Sequence, residues 1–144
     1  MKKASDILAR KGAGVISISP DTTVLDAVAL MAERNIGSVV VMEGDTFLGI
    51  MTERDYCRKV ILNGKSSTDT MVKEIMSVDF PPISPANTIE HCMELMTQNN
   101  IRYLPVYEGQ SVCGIISMQD VVKQTILKQE ETISQLKDYL HASM

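Results

Sequence analysis

The chain repeats itself. Residues 18–62, ISPDTTVLDAVALMAERNIGSVVVMEGDTFLGIMTERDYCRKVIL, align without a gap on residues 83–127, ISPANTIEHCMELMTQNNIRYLPVYEGQSVCGIISMQDVVKQTIL, with about a third of the positions identical. A register kept that long at a spacing of 65 residues implies two copies of one supersecondary unit. A lead-in recurs as well, since SDIL (5–8) resembles KEIM (73–76).

Within each copy the hydrophobic period changes in a set order. After the Ser-Pro turn, Val24, Ala27, Val28 and Met31 recur at helical spacing, as do Ile89, Met93 and Met96, which predicts an amphipathic helix. A strand follows (SVVVM or YLPVY), then a hairpin turn at EGD or EGQ, then a second strand (FLGIM or VCGII). A second helix is expected from Thr52 or Ser117, and VISI and PPIS suggest a short strand opening each copy. The expected fold class is therefore α+β (mixed α/β), with two tandem β-α-β-β-α repeats packed as a pseudo-two-fold pair. A unit of about 60 residues buries too little surface to be comfortable alone. The expected divisions are 1–63 for the first repeat with its lead-in, 64–127 for a polar linker and the second repeat, and 128–144 for a C-terminal amphipathic helix. That last segment places Ile133, Leu136 and Leu140 on one face.

Composition narrows the class of protein. Hydrophobic residues at 44% and charged residues at 22% match a folded globular chain rather than a disordered one. The basic start MKKASDILARKG has no apolar stretch behind it, and no apolar run approaches a membrane span, so a cytoplasmic protein with no membrane partner is expected. Cys57, Cys92 and Cys113 are an odd, scattered set and read as reduced thiols. A net charge of −4 argues against a general nucleic-acid binder.

The repeat also duplicates a polar pattern. Thr52-x-x-Asp55 and Ser117-x-x-Asp120 each fit a helix capping box, as does Thr23-x-x-Asp26. A hydroxyl delivered to a helix start by a strand carrying Gly49 or Gly114 also suits a phosphate, because the free N–H groups and the helix dipole favour an anion. A following carboxylate accepts hydrogen bonds and can hold a ribose diol. The two roles are compatible.

The repeated Gly-apolar-x-Thr/Ser-x-x-Asp segment, Gly49 to Asp55 and Gly114 to Asp120, resembles the signature of tandem cystathionine-β-synthase (CBS) domains, the Bateman module, and residues 1–127 as a whole are similar to such a pair. The TERDYCRKVILNGKSS stretch and the TISQL tail resemble bacterial stand-alone CBS-pair proteins. The resemblance implies a sensor that binds an adenosine-containing ligand such as AMP, ADP, ATP, NAD or S-adenosylmethionine in clefts between the repeats. By position, Thr52 and Asp55 would contact phosphate and ribose in one cleft, and Ser117 and Asp120 in the other. Ile36, Gly37 and Ser38, together with Ile101, Arg102, Tyr103, Leu104, Pro105 and the turns at Ser19 and Ser84, would surround the adenine. Arg102 and Arg54 would face phosphate, and each lacks a basic counterpart in the other copy. The resemblance further implies a homodimer, and a sensor implies an effector protein, which the sequence does not name.

Two other readings compete. His91 beside Cys92 suggests a nucleophile pair or metal ligands, but adjacent helical residues diverge by about 100°, so neither catalysis nor a metal site is expected. Alternatively, the repeats form a ligand-free dimerisation scaffold, with ten methionines providing adaptable surfaces.

Overall fold

A computed structural model describes residues 2–12 and 15–142. The chain divides into two compact units, one of residues 14–80 with 109–113, the other of residues 1–13, 81–108 and 114–144.

In the first unit, β1 (Ser17–Ile18) pairs in parallel with β2 (Ser38–Glu43), which pairs antiparallel with β3 (Thr46–Thr52). Helix α2 (Val24–Arg34) connects β1 to β2 and is capped by Thr23, whose Oγ1 accepts from Asp26 N at 3.2 Å. It ends at Asn35 in the left-handed region (φ 53°), where a short polar side chain is tolerated. The hairpin turns at Gly44 with φ 60°, a conformation glycine adopts without steric cost. After β3, α3 (Glu53–Asp55) widens into a π-helical stretch, Tyr56–Ile61. Val24, Ala27 and Met31 of α2 form a core with Val39, Val41, Met51 and Val60, closed by Val72 and Ile75 from the second lead-in.

In the second unit, α4 (Ile89–Asn99) repeats α2, with Thr88 as its N-cap and Asn100 as its left-handed end. It is followed by the hairpin of β4 (Tyr103–Glu108) and β5 (Ser111–Ser117). The strand expected at PPIS shrinks to one bridge, Ile83 to Val106. Proline explains the loss. In the first copy Ser17 pairs with Val40, and Val40 N donates to Ile16 O, whereas the matching positions hold Pro82 and Pro105, neither of which has an N–H.

Two further features differ from the expected divisions. The segment from 128 onward is no separate helix, because α5 runs unbroken from Met118 to Ala142; Ser143 and Met144 lie outside the described residues. Each lead-in is also bonded to the copy it does not introduce by register. Helix α1 (Ala4–Lys11), expected with the first repeat, is held by the second: Ala4 N donates to Asn87 O, Ser5 N to Pro85 O, and Ile89 N to Lys2 O. The lead-in at Val72–Glu74, a 3-10 turn, makes the matching bonds to the first copy, from Val72 N to Thr22 O, Lys73 N to Pro20 O, and Val24 N to Thr70 O.

Candidate functional site

Both duplicated motifs form capping boxes. In the first unit Thr52 Oγ1 accepts from Asp55 N at 3.0 Å, and Asp55 Oδ2 accepts from Thr52 N and from Thr52 Oγ1, each at 3.0 Å. The other oxygen is taken as well: Asp55 Oδ1 accepts from Ser77 Oγ at 2.8 Å and forms an ion pair with Lys59 Nζ at 2.9 Å. Lys59 Nζ also donates to Ile75 O. Asp55 is 5% exposed, and three hydrogen bonds and one ion pair occupy both of its oxygens.

The second box is less occupied. Asp120 N donates to Ser117 Oγ at 3.1 Å, while Ser117 N and Lys11 Nζ both donate to Asp120 Oδ2 at 2.9 Å. No hydrogen bond from a described residue reaches Asp120 Oδ1. Burial, the largest single influence, pushes the Asp120 carboxyl up, but the Lys11 hydrogen bond and charge together with the Ser117 N–H and hydroxyl outweigh it and hold the group below its ordinary value.

The difference follows from two substitutions between copies and from Lys11. By register Ala9 stands where the other lead-in has Ser77, and an alanine donates nothing. Gln124 stands where the π-helical stretch after α3 has Lys59, and it accepts through Oε1 from Arg10 Nε at 3.2 Å instead of approaching the aspartate. Lys11 fills part of the gap and also donates to Ile115 O at 2.9 Å. The matching carbonyl, Ile50 O, is bonded by Ser77 N at 2.8 Å.

The lead-ins also explain the signature glycines. A Cβ on Gly49 would lie 2.6 Å from Ser77 O, and one on Gly114 would lie 2.5 Å from Leu8 Cδ2. A backbone oxygen blocks the first, the end of a flexible side chain the second.

Several predicted residues gather at the two helix starts. Ser38 pairs with Thr52 across the β2–β3 ladder, and Glu53 N donates to Gly37 O at 3.2 Å. Met118 N likewise donates to Arg102 O at 2.8 Å. Ile36 is half-buried against the first core, as Ile101 and Tyr103 are half-buried in the second unit, and Leu104 and Pro105 are buried. Arg54 is half-buried and Arg102 exposed. Ser19 and Ser84 turn inward on themselves: Ser19 Oγ accepts from Asp21 N, Ser84 Oγ from Ala86 N, and no hydrogen bond from a described residue joins either to a capping box. Lys11, Lys59 and Ser77 were not singled out by the sequence, because all three lie outside the duplicated signature.

The rival chemistry has no geometry behind it. Cys92 is fully buried, which pushes its thiol up and disfavours the thiolate, while His91 is exposed. Among the described residues no three His, Cys, Asp or Glu side chains are grouped to hold a metal ion, and no helix is long and apolar enough to cross a membrane.

Comparison with known proteins matches the two sequence repeats. The family model of the CBS domain fits residues 4–61 and again residues 72–126. A mitochondrial CBS domain-containing protein of Arabidopsis thaliana, CBSX3, is 35% identical over 145 residues, which cover 94% of this chain and 70% of its own. A solved protein with CBS domains from Burkholderia ambifaria, provisionally assigned to signal transduction, is 40% identical with a TM-score of 0.81, covering 88% of this chain and 93% of its own. The hexameric CBS-CP12 protein of bloom-forming cyanobacteria is 32% identical with a TM-score of 0.73, covering 83% of this chain and 66% of its own.

Proposed function

Since the chain belongs to the CBS-domain family in both of its repeats, and CBS domains are regulatory modules that often bind adenosine ligands, we propose that it is a non-catalytic sensor of an adenosine-containing molecule such as AMP, ADP, ATP, NAD or S-adenosylmethionine. The observation that carries this reading is the open oxygen of Asp120. Its Oδ2 is held by the capping box and Lys11, which leaves Oδ1 free to accept from a ribose hydroxyl. The helix start at Ser117 offers phosphate a favourable dipole, and Arg102, whose carbonyl bonds that same helix start, supplies positive charge nearby. Ile101, Tyr103, Leu104 and Pro105 line the adenine side.

The same role for Thr52 and Asp55, with Ile36, Gly37, Ser38 and Arg54 around them, requires Ser77 or Lys59 to release Asp55 Oδ1 first. The second repeat is therefore the stronger site. Ser19 and Ser84 contribute backbone groups of their turns, and their hydroxyls, which accept from Asp21 N and Ala86 N, still have an O–H to donate.

Calorimetric titration with adenosine and the five candidates tests this. Binding of at least one, weakened about tenfold by Asp120→Ala in a variant that still melts cooperatively, is the expected result. No heat and no melting shift with any of them overturns it and leaves the ligand-free scaffold, the reading that the saturated Asp55 favours for the first repeat. We further propose that the chain self-associates as a homodimer and passes ligand occupancy to an effector protein in the cytoplasm. The cyanobacterial relative assembles as a hexamer, so sedimentation equilibrium must return twice the chain mass for the dimer to stand.

A further inference from the structure

The distal half of α5 carries an apolar stripe that its own unit does not bury. Ile126, Ile133, Leu136 and Leu140 follow one another at spacings of seven, three and four and are 49%, 53%, 57% and 60% exposed. Tyr139, beside them, is 71% exposed. Next to the stripe lies a groove of about 440 Å³ whose walls include Ile89 and Met93 of α4 and Gln129, Thr132 and Ile133 of α5. Ile133 belongs to both features, so stripe and groove form one continuous surface.

We propose that this surface is covered by α5 of a second copy, the two helices running antiparallel and Tyr139 of each entering the groove of the other. The inference rests on the homodimer reading and adds the surface, the direction and the register. Charge fixes the direction. Ile126, Gln129, Ile133, Leu136 and Leu140 occupy the a and d positions of a heptad pattern, and Glu130 and Lys137 both fall at e. In an antiparallel pair e faces e, and the register in which Ile133 packs on Leu136 of the second copy sets Glu130 against Lys137 twice, once on each side of the two-fold axis. The same register sets Thr132, at g, against Tyr139 of the second copy, also at g, and Thr132 is one wall of the groove. A parallel, in-register pair would instead set Glu130 against Thr125 and Lys137 against Thr132, with no opposite charges meeting. Antiparallel helices also place each positive dipole end beside a negative one.

Sedimentation equilibrium of the full chain tests the register by charge reversal. Glu130→Lys turns two attractions into two repulsions and should raise the dimer dissociation constant about tenfold at low salt. The double variant Glu130→Lys/Lys137→Glu should restore it, a recovery that a merely unstable helix would not show. Tyr139→Ala should weaken the dimer by about tenfold or more, since an aromatic anchor in a pocket dominates a small interface. A wild-type dimer whose dissociation constant is indifferent to all three variants overturns this inference while leaving the dimer itself standing. A wild-type monomer overturns both. Loss in Glu130→Lys without recovery in the double variant overturns the antiparallel register.

Discussion

Replacing Asp55 and Asp120 by Ala, one at a time, should separate a structural carboxylate from a ligand-binding one. Asp55 accepts from Thr52 N, Thr52 Oγ1 and Ser77 Oγ and pairs with Lys59 Nζ, and its side chain is only 6% exposed. Breaking a buried pair from one side costs about 3–5 kcal/mol because the other charge is stranded. The Lys59 side chain is 43% exposed and can swing into water, so the low end applies, and the loss in Asp55→Ala should be about 3 kcal/mol. For a chain of this length that lowers Tm by about 6–12 °C. Asp120→Ala removes one capping-box acceptor and an ion pair to Lys11, which is 37% exposed, so about 1–1.5 kcal/mol and a few degrees should be lost. Its larger effect should fall on the ligand, whose ribose loses an acceptor worth roughly tenfold in affinity. Urea unfolding of each variant, paired with calorimetric titration of adenosine, measures both axes. Equal destabilisation by the two substitutions would refute the view that the copies differ because Ser77 and Lys59 close only the first. So would an Asp55→Ala protein that keeps its stability and loses its ligand.

The remaining expectations are narrower. Gly49→Ala should cost about 2–3 kcal/mol in urea unfolding, since Ser77 must shift and its paired bonds with Ile50 loosen, while Gly114→Ala should cost under about 1 kcal/mol as Leu8 turns aside. Folding depresses the Asp120 carboxyl, so its stabilising effect is complete above the unfolded value and disappears as pH falls through the lower folded one. Wild type should therefore lose stability relative to Asp120→Asn as pH drops below about 4, and parallel curves would contradict the Lys11 contact. Arg102→Ala should weaken AMP about tenfold and leave adenosine unchanged, and equal losses would remove Arg102 from the phosphate.

The repeat made the fold legible because period and capping are local signals. Thr23, Thr52 and Ser117 can be recognised as caps from their own neighbours, and the structure shows each accepting the expected backbone N–H. Asn35 and Asn100, which recur in register, end both helices in the left-handed region, a local feature not expected from the sequence. Long-range partners carry no such signal. Nothing near Gly49 announces that Ser77 O will lie against it, and nothing near Asp120 announces Lys11, because those contacts depend on which copy each lead-in joins. The exchange of lead-ins has a functional consequence. The residues that tune the two duplicated aspartates lie outside the signature itself, some in the lead-ins, where Ser77 stands against Ala9, and one pair further along the repeat, where Lys59 stands against Gln124. Two nearly identical capping boxes thereby end as unequal acceptors, one saturated and one with an oxygen open. A copied motif can thus come to differ in its carboxylate's partners while keeping a hydroxyl and an aspartate at the same spacing.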